Sequence, residues 1–382
     1  SGFSIPVSHN FGAGDYVGMR KMVANCTWLS GLFAVVMTVL TTFFCRQILI
    51  LMKTPADIIE GAYKYIWVIF LGIPVTYLYN MLSGIIRALG DSKTPVIFLL
   101  ISSVLNIGLD LLFIVVLHTG VAGAAWATVI SQGISGVLCL LYMIKKFDIL
   151  HIQKEEWAVE SQMMLTLCNM GIPMGLQYSI TAIGSVILQT ATNTLGSIAV
   201  ASTTAAGRIG GFLACPFDAM GSTMATYSGQ NVGAGKLERV GQGMRSCIWL
   251  GAGYSVIALL VSVLFGKQLA TLFVEGTETV ILENVQLFLI INTVCYFPLA
   301  LVNIIRFTIQ GVGFPRFAIL AGVFEMIARA LAGIVLVPAF GFVGACLGSP
   351  IAWILADVFL IPAYIHVINK LKKSYEPRIQ EQ

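Results

Sequence analysis

Four polar side chains, three of them ionisable, lie inside otherwise apolar runs of this sequence. Asn106 and Asp110 are four residues apart in SSVLNIGLDLLFI, and Glu325 and Arg329 have the same spacing in VFEMIARAL. Residues at this spacing project from one face of a helix. Because a charged group inside an apolar helix costs about 3 kcal/mol on insertion scales, each pair marks a candidate functional site.

Each pair has two interpretations. Asn106 and Asp110 are predicted either to line a cation or proton site, or to bond to neighbouring backbone and hold helices together. In the second pair the acid precedes the base, which is the favourable order for a helical ion pair. Glu325 and Arg329 are therefore predicted either as a structural pair or as a gate or coupling pair that changes partners.

A polar stripe runs along the apolar segment 165–190. Tyr178, Ser185 and Gln189 recur near multiples of a helical turn, and Asn193 continues the series. Lipid offers such groups no hydrogen-bond partners, so we expect them to face either a water-filled cavity or polar groups of another helix.

Aromatic and amide side chains occur at comparable depths in two other apolar segments. Tyr79 and Asn80 lie in 65–86, and Asn292 and Tyr296 lie in 285–305. Tyrosine rings at a cavity wall can stack on organic cations, so these residues are further candidates for an ion or substrate cavity. The alternative for a single tyrosine is packing or a place at the membrane interface.

Several kinds of site are not predicted. The eight cysteines form no CxxC pair, and the four histidines show no ligand spacing, so no metal site is expected. In GQNVGAGKL the lysine is followed by Leu237, where a nucleotide-binding loop needs Ser or Thr for Mg²⁺. We therefore predict no catalytic residues and no cofactor-binding residues.

The elements that position these residues must be membrane helices. Only 10% of the 382 residues are charged and 57% are hydrophobic, which excludes a water-soluble globule and gives no basis for nucleic-acid binding. The apolar runs are long enough to cross a lipid bilayer as helices. The sequence predicts an all-α polytopic bundle with ten spans, near 23–44, 65–86, 95–117, 121–143, 165–190, 198–228, 246–265, 285–305, 315–337 and 341–368.

Lys and Arg residues are concentrated in alternate connections between these spans. By the positive-inside rule that side is cytoplasmic, and it includes the C-terminal tail. Arg306 and Arg316 are counted in one of these connections.

The sequence also repeats itself. Asn10–Gly14 (NFGAG) returns as Asn231–Gly235 (NVGAG), and Gly120–Ala124 returns as Gly341–Ala345 at the same shift of 221 residues. An even number of spans per period predicts two parallel six-helix lobes. By this comparison we expect a twelve-helix architecture whose first helix and most of the second are missing from the chain. The predicted domains are an incomplete N-terminal lobe (1–144), a cytoplasmic inter-lobe linker (145–160), a C-terminal six-helix lobe (161–368) and a cytoplasmic tail (369–382).

With these motifs the chain resembles the MATE (multidrug and toxic compound extrusion) transporters. The resemblance rests on GFSIPVSHNFGAGD (2–15), RALGDSKTP (87–95), GIPMGLQYSI (171–180), GQNVGAGKLERV (229–240) and GFVGACLGSPIAW (341–353). It implies a secondary antiporter that exports organic cations or amphiphilic drugs and metabolites in exchange for Na⁺ or H⁺. Some members carry carboxylates in the helices corresponding to 165–190 and 285–305. Those segments contain no Asp or Glu here, so that coupling site is not transferred.

On this basis we expect a monomeric transporter of the plasma membrane that is not an enzyme. A related alternative is a flippase for lipid-linked saccharides, which the small number of Lys and Arg residues within spans disfavours. A membrane enzyme would need a catalytic constellation, which the sequence does not show. A transmembrane scaffold without transport is the remaining alternative.

Overall fold

The structure, a computed structural model, describes residues 1–379, and within that range the regular secondary structure is helical. This agrees with the predicted all-α class. The last three residues of the predicted tail 369–382 lie outside the described residues.

The chain divides into two compact units, Ser1–Cys168 and a second unit that begins at Asn169. The helices of the first unit are α1 (Ser4–Gly12), α2 (Tyr16–Phe43), α3 (Cys45–Leu51), α4 (Ile59–Leu71), α5 (Ile73–Ala88), α6 (Lys93–Asp110) and α7 (Val121–Lys146). Helix α8 (Ser161–Asn193) starts in the first unit and continues into the second. It is followed by α9 (Ser197–Gly233), α10 (Leu237–Ala270), α11 (Thr279–Val294), α12 (Tyr296–Gly311), α13 (Arg316–Leu331), α14 (Val337–Phe340) and α15 (Phe342–Ile379).

Eight of these helical segments are long and apolar enough to cross a membrane, and up to ten spans result if each of two bent helix pairs counts as one. The chain is therefore an integral membrane protein. The bent pairs are α4 with α5, at 45°, and α11 with α12, at 51°. Their breaks follow from the sequence, because Pro74 and Pro298 lack the N–H that would continue the helix and their rings crowd the preceding turn.

The internal repeat is visible in the backbone. Gly14 and Gly235 follow α1 and α9 with φ of 71° and 72°, a left-handed conformation that glycine adopts without strain. Helix α6 ends in a π-helical turn at Leu111–Val116, and α13 ends in one at Ala332–Leu336. The two halves of the sequence thus share their irregular positions as well as their helices.

Each unit has its own hydrophobic core. In the first, Met19 of α2 packs with Leu82 and Ile86 of α5. In the second, the Phe217 and Tyr296 rings meet edge to face with centroids 5.4 Å apart. These contacts fix the rotation of the helices that carry the polar side chains.

The polar segment between α7 and α8 is fastened to α2. Arg20 donates to both carboxylate oxygens of Glu156, at 2.8 Å and 3.0 Å, and the Trp28 indole donates to the Trp157 carbonyl at 2.9 Å. The hydrogen bonds from Arg20, followed by one from the Gln153 backbone N–H, lower the pKa of the Glu156 carboxyl. Residues of the predicted linker 145–160 are thus bonded to α2.

Candidate functional site

A cluster of buried charges lies among the helices of the second unit. Glu325 of α13 accepts hydrogen bonds from Arg306 of α12 and, at 3.3 Å, from Arg329 of its own helix. Glu325 is 2% exposed, Arg306 5% and Arg329 6%. One carboxylate therefore serves two guanidinium groups in surroundings that contain little water.

Arg306 was predicted to lie in a connection between spans, and this prediction is wrong. It lies inside α12, five residues before the last residue of that helix. Polar neighbours and the following glycines made the segment look like a loop. The predicted pair of Glu325 and Arg329 is in fact a triad.

Two further carboxylates interact electrostatically with Arg306. Asp218 of α9 accepts a hydrogen bond of 3.4 Å from the Asn303 amide, three residues before Arg306. Asp357 of α15 is buried, and its Oδ1 atom has no hydrogen-bond partner among the described residues. Sequence reasoning did not select Asp357, although an acidic residue in the apolar run AWILADVFL meets the criterion that selected Asp110.

The first unit contains the other predicted polar pair. The Asn106 amide donates to the Thr128 hydroxyl of α7 at 3.4 Å. Asp110 is the last residue of α6, where the π-helical turn begins, and its buried Oδ1 atom has no hydrogen-bond partner among the described residues. The structure thus places an amide, a hydroxyl and an unsatisfied carboxylate oxygen on adjoining helices of one unit.

The tyrosine and asparagine of α5 differ in their surroundings. The Tyr79 hydroxyl donates to the Pro95 carbonyl at 3.0 Å and so joins α5 to the start of α6. Asn80 is exposed. Tyr79 therefore has a packing partner, whereas Asn80 remains free to meet water, lipid or a ligand.

Asn292 and Tyr296, which were predicted as candidates for an ion or substrate cavity, each donate a hydrogen bond to another helix. The Asn292 amide donates to the Cys346 carbonyl of α15 at 3.2 Å, and the Tyr296 hydroxyl donates to the Gly210 carbonyl of α9 at 3.1 Å. Both residues are buried. Their polar atoms hold helices together, and the Tyr296 ring belongs to the core of the second unit.

The stripe on α8 is exposed along its length. Tyr178 is 54% exposed, and Ser185, Gln189 and Asn193 are also exposed. Gln189 donates to Asn193 at 2.9 Å within the same helix. The Tyr178 hydroxyl also interacts electrostatically with Arg306 of α12.

A different face of α8 packs on α13. A side chain at Gly184 would come within 2.9 Å of the Met326 backbone, which explains why a glycine stands there. Gln177 is buried beside Gly322 on the same contact. The packed face of α8 therefore meets α13 close to Glu325 and Arg329.

Among residues 1–379, no group of three or more His, Cys, Asp or Glu side chains is arranged to hold a metal ion. The arrangement offers charge-bearing side chains within apolar helices, and the chemistry it supports is the binding of protons, cations and polar ligands.

Comparison with known proteins identifies a family. The MatE family model matches residues 1–112 and 173–335. The chain is 35% identical over 243 residues to the probable multidrug resistance protein YpnP of Bacillus subtilis, covering 62% of this chain and 53% of that protein. It is 26% identical over 291 residues to the probable multidrug resistance protein YoeA of the same organism, covering 74% of this chain and 63% of the relative. The matches thus span less than two thirds of these curated relatives.

Solved structures share the fold. An outward-facing multidrug resistance MATE family transporter of the MOP superfamily superposes with a TM-score of 0.91 at 22% identity, covering 97% of this chain and 83% of that one. A MATE structure in the bent conformation gives a TM-score of 0.90 at 23% identity, covering 98% and 83%.

Proposed function

Because this chain belongs to the MatE family, whose members are transporters and not enzymes, we propose that the protein is a secondary active antiporter. It exports organic cations or amphiphilic compounds in exchange for Na⁺ or H⁺. The observation that carries the proposal is that both units hold ionisable side chains inside apolar helices, Asp110 in one and the Arg306–Glu325–Arg329 cluster in the other. Such groups are costly in a bilayer unless they are paired or face water. An ionisable residue at membrane depth is therefore a candidate for a functional role.

In this proposal Asn106 and Asp110 form a cation or proton subsite in the first unit. The Asp110 oxygen that lacks a protein partner supplies negative charge. The side-chain oxygens of Asn106 and Thr128 are neutral candidate ligands on the same pair of helices. In the first unit the exposed Asn80 is a candidate contact with substrate, and in the second unit the exposed α8 stripe holds further candidates. The predicted domains, with lobes at 1–144 and 161–368, remain part of this proposal.

The state of the arginines supports a positively charged transported compound. The buried Arg306 and Arg329 are both bonded to Glu325, and Arg306 is also attracted by Asp218, so their charges are engaged with protein carboxylates and less open to an anionic headgroup. This supports an organic cation over a lipid-linked saccharide phosphate. The protein works as a monomer in the plasma membrane with its C-terminus in the cytoplasm, on the side where Lys and Arg are concentrated.

The proposal is tested by flux through proteoliposomes that contain the complete protein. An imposed pH or Na⁺ gradient should drive uphill movement of a cationic fluorescent dye. Asp110→Asn should abolish this movement, whereas Ser103→Ala, a change at an exposed position of the same helix, should leave it intact. Dye movement that needs ATP and survives collapse of both gradients would contradict the proposal.

The α8 stripe is tested separately by cysteine labelling in a background without the eight native cysteines. Cysteine at Ser185 or Gln189 should react with a membrane-impermeant thiol reagent from one side, and substrate should protect it. Absence of reaction in a correctly folded protein would remove the stripe from the substrate path.

A further inference from the structure

Asp357 is a buried carboxyl group that the proposed transport path does not use. It lies on α15, one helical turn after Trp353, and is 7% exposed. Helix α15 packs closely against both α12 and α13. A carboxylate that gains no hydrogen bond at its buried oxygen is unfavourable there unless another charge or a proton compensates it.

The charges around Asp357 do not balance when every group is ionised. Arg306 is the charged residue that acts directly on Asp357. Arg306 also interacts with Asp218, with Arg329 and with the Tyr178 hydroxyl, and it is bonded to Glu325. Three carboxylates thus face two guanidinium groups, and the cluster carries one excess negative charge.

One bound proton would neutralise the cluster, and the contacts indicate which carboxylate takes it. Glu325 accepts from two arginines, which stabilises its ionised form. Asp218 is exposed and accepts from Asn303. Asp357 alone of the three is buried and has an oxygen without a donor.

We propose that Asp357 is a proton-binding site and that its occupancy decides which carboxylate Arg306 contacts. With the proton bound, Asp357 is neutral and Arg306 stays on Glu325, as in this structure. When the proton leaves to water, the Asp357 carboxylate competes with Glu325 for the guanidinium. The contact of α12 with α13 then loosens, and its contact with α15 tightens.

This inference rests on the proposed function, since it names the proton as an ion that the antiporter binds. Its test needs no transport, because Trp353 lies one turn from Asp357 and packs edge to face on Tyr296 of α12. The complete protein is purified with Trp353 as its single tryptophan, the others being changed to Phe. Its fluorescence is then titrated with pH in a potassium buffer.

We expect one fluorescence transition, which is lost in Asp357→Asn and retained in the control Glu283→Gln, at an exposed position of α11 outside the charge cluster. Should the Asn variant fail to fold, Asp357→Glu should retain the transition at a displaced midpoint. A transition unchanged in Asp357→Asn, an unmoved midpoint in Asp357→Glu, or no transition in the parent protein would overturn the inference. A signal that follows Na⁺ at fixed pH, and not pH itself, would also overturn it.

The outcomes separate the two proposals. Loss of the Asp357 titration leaves gradient-driven dye export standing, with its ion bound elsewhere. A normal titration in a protein that shows no gradient-driven flux would refute the antiporter proposal and keep the proton site.

Discussion

Removing the charge of Glu325 tests the buried triad most directly. Glu325→Gln keeps the size of the side chain and one carbonyl oxygen, but it leaves Arg306 and Arg329 buried without their shared anion. Breaking a buried ion pair by removing one partner costs about 3–5 kcal/mol. Because two guanidiniums lose their partner at once, we expect a loss at the upper end of that range.

Removing the charge of Glu325 does not affect the two arginines equally. Arg306 keeps the electrostatic attraction of Asp218, whereas the hydrogen bond of Arg329 is made to Glu325. Changing Arg329 to Met together with Glu325→Gln should therefore restore part of the stability. Adding Arg306→Met should restore more, because no buried guanidinium then remains.

The assay heats the protein in detergent and then measures, by size-exclusion chromatography, the fraction that is still monodisperse. Glu283→Gln, at an exposed position of α11, is the control and should stay within about 0.5 kcal/mol of the parent. A Glu325→Gln protein that withstands heat as well as the parent would refute the structural reasoning. If that stable protein had also lost transport, the triad would be a gate.

Two further predictions concern contacts outside the triad. Because the pKa of Glu156 is lowered in the folded protein, its bond to Arg20 stabilises the fold fully at pH values above the ordinary Glu pKa of about 4.5. This stabilisation is lost as the pH falls through the lower pKa of the folded state. Tryptophan fluorescence from the segment it anchors should change in that acidic range, and a Glu156→Gln protein that shows the same change would contradict the assignment. Asn292→Ala should cost about 1–3 kcal/mol, because the buried bond to the Cys346 carbonyl disappears. Asn284→Ala, which loses only a 3.4 Å contact, should melt closer to the parent, and equal melting of both variants would be the contrary result.

The sequence predicted the helical class and the repeat because both depend on long apolar runs and on motifs that recur at a fixed shift. It could not predict the rotation of each helix, which decides the partners of its polar side chains. Asn292 and Tyr296 lie in a helix pair so apolar that no polar face shows which side meets the core. Arg306 was misplaced because its helix continues through the polar residues that precede Gly311. The triad itself arises from a contact between α12 and α13, which a spacing rule within one helix cannot reveal.

The paired π-helical turns bear on how the two halves of the sequence diverged. Counting from the shared turns, Asp110 of α6 corresponds to Leu331 of α13, so the carboxylate occurs in one copy and an exposed leucine in the other. The π-helical turn occurs in both copies, whereas the carboxyl group before it occurs in one copy. An ancestral duplication would thus have given each half the same π-helical turn, and later mutation would have changed the charge of the residue before it. A substitution at position 110 or 331 would therefore change the charge of one copy while the π-helical turn of each copy stays in place.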